Sequence, residues 1–311
     1  MKKIATRDAY GEALKELGAV NPQIVVLDAD LTKSTKTSVF AKAFPARFFN
    51  MGIAEQNLIG TAAGLAAAGK IPFASTFAIF ATGRAYEQIR NSVAYPQLNV
   101  KIAATHAGLA VGEDGASHQA LEDIALMRAI PHMTVIVPAD AEETRQAVRL
   151  AAEMKGPVYL RLGRPGVPVL FDEKYKFAIG KAVAVAEGTK ATVIATGIMV
   201  GIALEAAERL RGEGVDVRVL NMATIKPLDR GAIIAAAKET GAIVTAEEHN
   251  IIGGLGSAVA EVIGESCPVP LLRVGVQDTF GESGKPDALL EKYGLTAENI
   301  AAAVKTVIAR K

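Results

Sequence analysis

Short runs rich in valine and isoleucine alternate along the chain with longer alanine-rich stretches. IVVLDAD (24–30), IPFAST (71–76), VKIAATH (100–106), MTVIVPAD (133–140) and PVYLRL (157–162) are nearly continuous apolar runs of strand length. That is the pattern of strands buried on both faces of a parallel sheet. Between them, DAEETRQAVRLAAEMK (140–155) sets Ala147, Leu150, Ala151 and Met154 on one helical face, with Asp140 placed as its N-cap. Strands alternating with helices predict an α/β protein with open, mostly parallel sheets. The alternation breaks at LFDEKYKFAIG (170–180), which is charged and ends in glycine. It resumes through ATVIATG (191–197), IALEAAERLRGEG (202–214), VDVRVLNM (215–222), GAIVTAEE (241–248), GSAVAEVIGE (256–265) and PLLRVGV (270–276). The expected organisation is one α/β domain over 1–172, a linker over 173–182, and a smaller α/β domain over 183–311.

Composition narrows the function classes. A chain of 311 residues, 50% apolar and 22% charged, can bury cores of good size in two domains. Lys plus Arg number 34 against 33 Asp plus Glu, and no basic cluster is interleaved with aromatics, so no nucleic-acid partner is expected. Cys267 is the only cysteine, which rules out a disulfide within the chain and fits a reducing compartment. The most apolar early run, LIGTAAGLAAAG, is too short to span a bilayer, and MKKIATRDAYGEAL has no apolar core of a signal peptide behind its charges. A cytoplasmic protein without membrane contact is the expectation.

Several stretches have the residue types for chemistry. NMGIAEQNLIG (50–60) puts Glu55 at the start of an apolar helix, where an acid is either a helix-start residue or a functional group. IVVLDADLTKST places Asp28, Asp30 and Ser34 beyond a strand end, as turn residues or as ligands. Phe77, Phe80 and Tyr86 crowd together in ASTFAIFATGRAYEQIR, with Phe73 just before it, although aromatics are only 5% of the chain. At helical spacing Phe77 and Phe80 share a face, as core or as a wall for a flat ring. ATHAGLAVGEDGASHQ is the most specific stretch. It holds His106 and His118, two of four histidines, around Gly112, Glu113, Asp114 and Gly115, in a glycine-rich loop that follows a strand. Those side chains supply hydrogen bonds and proton transfer near neutral pH. Zinc-type spacings are absent. GGLG (253–256) opens a helix as a tight turn or a weak anion site, and His249, in EEHN, has no evident role.

In order, LDADLTKS, IAEQN, STFAIF, GEDGASHQALEDIALMR and YLRLGRP resemble the transketolase family of thiamine diphosphate enzymes. IKPLD (225–229), TAEEHN and DTFGESG (278–284) resemble that family's C-terminal domain, so the resemblance covers nearly the whole chain. It implies a pyrimidine-binding domain followed by a transketolase C-terminal domain. It also implies that Glu55 hydrogen-bonds N1′ of the cofactor's aminopyrimidine, so that the exocyclic nitrogen can take the C2 proton of the thiazolium. Burial among Phe77, Phe80 and the alanine-rich helix would leave Glu55 protonated or sharing its proton. Phe77 and Phe80 match the aromatics that stack on the pyrimidine, and Asp30 an acid near the thiazolium. His106, Arg164 and Ser34 match groups that hold the sugar phosphate, Asp114 one that reads a substrate hydroxyl, and His118 one near the reacting carbon. Arg161 matches less well, and Gly83 looks like an extra residue that makes Arg84 and Tyr86 uncertain counterparts.

The family's metal- and diphosphate-binding motif, a GDG followed by an Asn, is missing, as is the domain that carries it. The resemblance therefore implies the C-terminal half of a split transketolase, with Mg2+ or Ca2+ held by an N-terminal partner subunit in a two-plus-two assembly. The implied reaction, placed in the pentose phosphate pathway, moves a two-carbon ketol unit from a ketose phosphate to an aldose phosphate. The C-terminal part of a 1-deoxyxylulose-5-phosphate synthase, or a non-catalytic assembly or regulatory subunit of the same fold, are the rival readings.

Overall fold

The computed structural model describes residues 2–311. Its larger sheet has seven strands, in the order Thr224–Lys226, Thr134–Ile136, Val158–Arg161, Lys101–Thr105, Ile71–Phe77, Ile24–Asp28 and Phe48–Asn50. Its second sheet has five, in the order Leu271–Val276, Ile243–Asn250, Ala191–Ala195, Val217–Asn221 and Val183–Ala186. Neighbours are parallel except at the edge strands Thr224–Lys226 and Val183–Ala186, which pair antiparallel. The α/β reading therefore holds for both sheets. Among the described residues no helix is long and apolar enough to cross a membrane.

The apolar runs form strands because both of their faces are covered. Ile24–Asp28, Lys101–Thr105 and Val158–Arg161 are buried at every position, and each fully buried Val, Leu or Ile side chain contributes about 1.5–3 kcal/mol. The 140–155 reading is met by a helix over Ala141–Glu153, with the Asp140 carboxylate accepting the Glu143 amide at 2.8 Å. Its buried stripe is Ala141, Thr144, Ala147, Val148, Ala151 and Ala152, whereas Leu150 and Met154 lie half-buried at its margin.

Two features were not legible in the pattern. The IKPLD region sends Thr224–Lys226 out of the second unit to extend the first unit's sheet, with Thr224 opposite Ile136. The largest apolar core is also shared. Leu58, Ile89 and Ile124 from the first unit belong to the same cluster as Met222, Ile225, Ile233 and Val259 from the second. The stretch 173–182 has no regular structure, yet it is pinned: Phe177 N donates to Gln146 at 2.8 Å and Tyr175 OH to Glu143 at 2.5 Å.

Candidate active site

The helix Glu55–Ala67 starts with Glu55 itself, whose side chain is only 3% exposed. The carboxylate takes no part in capping this helix. It pairs with Arg84, Nη1 to Oε1 at 2.7 Å, and the Arg84 guanidinium lies 4.7 Å from the centre of the Phe80 ring. Glu55 thus meets a guanidinium as well as the apolar surroundings expected for it. Phe77 and Phe80 do not share a helical face, because Phe77 ends the strand Ile71–Phe77 and Phe80 opens a π-turn over Phe80–Arg84. A π-turn holds one residue more than the α-helical turn it replaces, and Gly83, the apparent extra residue, sits inside it. The two rings still lie nearly parallel, 5.8 Å apart with 9° between planes. Phe73 instead packs in the core against Tyr10.

The aromatic wall continues into the histidine loop. His106 stacks on Phe77 at 3.8 Å, and His118 stands edge-on to Phe80 at 5.3 Å. His106 Nε2 lies 3.1 Å from Arg7 Nη1 and its Nδ1 lies 2.8 Å from Thr105 Oγ1. An arginine can only donate, so Nε2 accepts and Nδ1 carries the proton. Burial, then the charges of Arg7 and Arg164, press the His106 pKa down to about 3, so the ring is neutral at physiological pH. His118 Nδ1 has Ser117 Oγ at 3.0 Å.

Arg7 was not singled out in the sequence, and no local signal marks it; its partner His106 is 99 positions away. It also donates to the Ser34 carbonyl at 3.0 Å, while its buried Nε has no partner. Burial lowers the Arg7 pKa, Asp8 opposes that shift, and the nearby Arg164 adds to it. Arg164 donates to the Val111 carbonyl and lies 3.4 Å from Glu113 and 3.7 Å from Asp114. Two guanidiniums, a neutral imidazole and an orphaned donor make a site suited to an anion. Asp30 is exposed, with positive φ, and accepts from Asn50 Nδ2 at 2.9 Å. Asp28 is buried and holds the same loop through Leu31 N, Thr35 Oγ1 and Thr37 Oγ1.

The remaining candidates are structural. Arg161 is buried in a two-bond pair with Asp123, 2.8 and 3.1 Å, and does not reach the loop's open side. The amides of Leu255 and Gly256, which open the GGLG helix, already donate to Glu247 at 2.6 and 2.7 Å, so that terminus has its anion from the chain itself. His249 is fully buried: Nδ1 is 2.6 Å from the Asn250 carbonyl and Nε2 accepts the Ala125 amide at 3.4 Å, which joins the two units through a neutral ring. His132 lies in an exposed turn. Among the described residues no group of three His, Cys, Asp or Glu side chains is placed to hold a metal ion.

Residues 2–169 match the transketolase pyrimidine-binding domain, and residues 180–300 match the transketolase C-terminal domain. A Methanocaldococcus jannaschii protein, provisionally named a transketolase C-terminal section, is 56% identical over 298 residues, covering 95% of this chain and 93% of its own. A 6-deoxy-6-sulfo-D-fructose transketolase subunit from Clostridium sp. strain MSTE9 is 47% identical over 305 residues, covering 98% and 95%. Among solved structures, one described as a split-gene transketolase, inactive β4 tetramer, superposes with a TM-score of 0.93 at 63% identity and covers 99% of both chains.

Proposed function

The chain belongs to the transketolase family, and from that premise we propose that it is the C-terminal subunit of a split transketolase. In this reading it transfers a two-carbon ketol unit from a ketose phosphate to an aldose phosphate, with thiamine diphosphate held between it and a partner subunit. The observation that carries the reading is the unbroken wall from Glu55 through Phe80, Phe77 and His106 to Arg7, which joins a buried acid to an anion site across a flat aromatic surface.

The residues fit the cofactor's pyrimidine end. Phe77 and Phe80 offer the stacking face, and Glu55 is a buried carboxyl positioned to exchange a proton with N1′. When bound, the cofactor supplies a carbon nucleophile and an electron sink for the two-carbon unit. The chain's own groups bind and orient. Glu55, paired with Arg84 in the free chain, would hold the ring at N1′. Arg7 and Arg164 hold the terminal phosphate, with Ser34 beside it. Neutral His106 holds the Arg7 guanidinium toward that phosphate, His118 hydrogen-bonds the sugar near its reacting carbon, Asp114 reads a hydroxyl, and Asp30 lies toward the thiazolium side. The divalent metal, Mg2+ or Ca2+, and the diphosphate would be ligated by the partner.

The assembly reading has support of its own. The relatives named as a section, a subunit and a split-gene product are matched over 93–99% of their lengths. The β4 tetramer of a similar chain is described as inactive, as expected for half of a site. The helix Glu55–Ala67 leaves Gln56, Asn57, Gly60 and Gly64 exposed, beside Ile53 at 80% exposure, a surface for a second copy or the partner. A relative's substrate carries a sulfo group, and the same arginines would hold a sulfonate, so assays should include both anion types. Replacing Glu55 by Ala in the complete complex should lower turnover by about 10²–10⁴-fold while the subunits still co-purify. Unchanged turnover would remove Glu55 from its role.

A further inference from the structure

The carboxylate of Glu248 reaches from the second sheet into the loop that holds the site histidines. Glu248 lies on the strand Ile243–Asn250 and is 5% exposed. Its Oε1 accepts the Ala110 amide at 2.6 Å. That amide lies in the middle of the short turn Leu109–Val111, which begins three residues beyond His106. Just before it, Gly108 has φ of +82°, and a Cβ there would lie 2.2 Å from the Glu248 carboxyl carbon. The backbone of Glu248 is fixed as well, because Arg161 donates to its carbonyl at 2.9 Å while paired with Asp123.

The turn's far end touches the anion site, since the Val111 carbonyl accepts from Arg164. Other parts of the second unit support the same loop. Gln119 Nε2 bridges the Leu109 carbonyl at 3.2 Å and the Glu282 carbonyl at 3.0 Å. The close approach of Ser283 leaves no room for a side chain at Gly115. A loop rich in glycine has many conformations open to it, so its shape must come from what it is packed against. The one charged side chain whose carboxylate is bonded to the turn itself belongs to the C-terminal unit.

We propose that Glu248 is a positioning residue: it fixes the Leu109–Val111 turn, and through Val111 sets the Arg164 guanidinium for the substrate's anionic group. This gives the C-terminal unit a part in substrate binding, and the kinetic half of the claim rests on the transketolase reading above. Glu248 itself touches no reacting atom. Its work is done by acceptor oxygens at a fixed reach, so shape matters and charge does not.

Three variants separate these properties. Glu248→Gln keeps an acceptor at the same reach, Glu248→Asp keeps the charge but withdraws it by one methylene, and Glu248→Ala removes both. In the complex with its partner, the Asp and Ala variants should raise KM for a ketose phosphate about tenfold, the worth of one positioning hydrogen bond, with kcat changed less. The Gln variant should stay near the parent. Hydrogen exchange in the isolated chain should show the Ala110 amide losing protection in Asp and Ala but not in Gln. If the Ala variant fails to fold, the Asp and Gln pair decides. A damaged Gln variant beside a normal Asp variant, or protection unchanged in all three, overturns the proposal. A parent complex without ketol transfer would count against the functional reading alone, because the exchange measurement needs no substrate.

Discussion

In the proposed reading, Arg7 and Arg164 hold the substrate's anionic group. Arg7 is held by one carbonyl and one imidazole, both neutral, and keeps a buried Nε without a partner. An anion that met this guanidinium would gain charge-assisted hydrogen bonds worth about 1.5–3 kcal/mol each. Arg7→Met should therefore raise KM for phosphorylated sugars about 10–100-fold and affect the matching uncharged, phosphate-free ketose far less. Steady-state kinetics with matched phosphorylated and free sugars would check this, and equal losses on both would mean that Arg7 does not hold the anion. His106 belongs to the same balance. Burial first, and then the third positive charge that protonation would put beside two arginines, hold its pKa far below that of a free imidazole.

At the scale of elements, Glu143 is the tie that deserves a test. It sits in the first turn of Ala141–Glu153, buried, and accepts from Ala139 N at 2.7 Å, Tyr175 OH at 2.5 Å and Asn221 Nδ2 at 2.7 Å. One carboxyl thus joins a helix, the 173–182 stretch and the second sheet. Burial pushes its pKa up to about 7, opposed by the three hydrogen bonds. A carboxyl raised on folding favours the folded state most fully below the ordinary carboxylate range, and that contribution is lost as pH rises through about 7. Glu247 and Glu248, also raised to about 7 mainly by burial, act in the same direction. Together these carboxyls lower thermal stability between about pH 5 and pH 7.5, a fall made shallower below about pH 6.5 by His106 and His249, whose pKa values, pressed down to about 3 and about 4 by burial, act in the opposite direction. Glu143→Gln should flatten part of that fall, and Glu143→Ala should cost about 2–4 kcal/mol by stranding buried donors. Melting curves across pH would show it, and a Gln variant with the parent's pH slope would contradict it.

The same scale shows where the sequence was legible. Strands and helices followed from the apolar runs, because those runs are buried on the faces the pattern marks. Glu55, Phe77, Phe80, His106, His118 and Arg164 could be named because each sits in a compact motif. The reason given for Phe77 and Phe80 was nevertheless wrong: a strand end and a π-turn, not a helical face, bring the rings together. Arg7 escaped notice because its meaning lies in a contact across 99 positions. Glu247, Glu248 and His249 act only where the two units pack together, which no local pattern encodes.

For the molecule as a whole, the two sheets are locked together by a shared core, by the Thr224–Lys226 strand and by the EEHN contacts. The two units thus form one continuous frame that displays the site wall. The wall presents an acid, two stacked rings and an anion site, while no described cluster is placed to hold a metal. The most direct test is to purify the chain gently from its source with magnesium present, identify what co-elutes, and measure thiamine diphosphate in each species. The account predicts a stoichiometric second subunit, with cofactor and ketol transfer found in the complex and not in the chain alone. A lone homo-oligomer that binds the cofactor and turns over, or a stable complex that holds none, would contradict it.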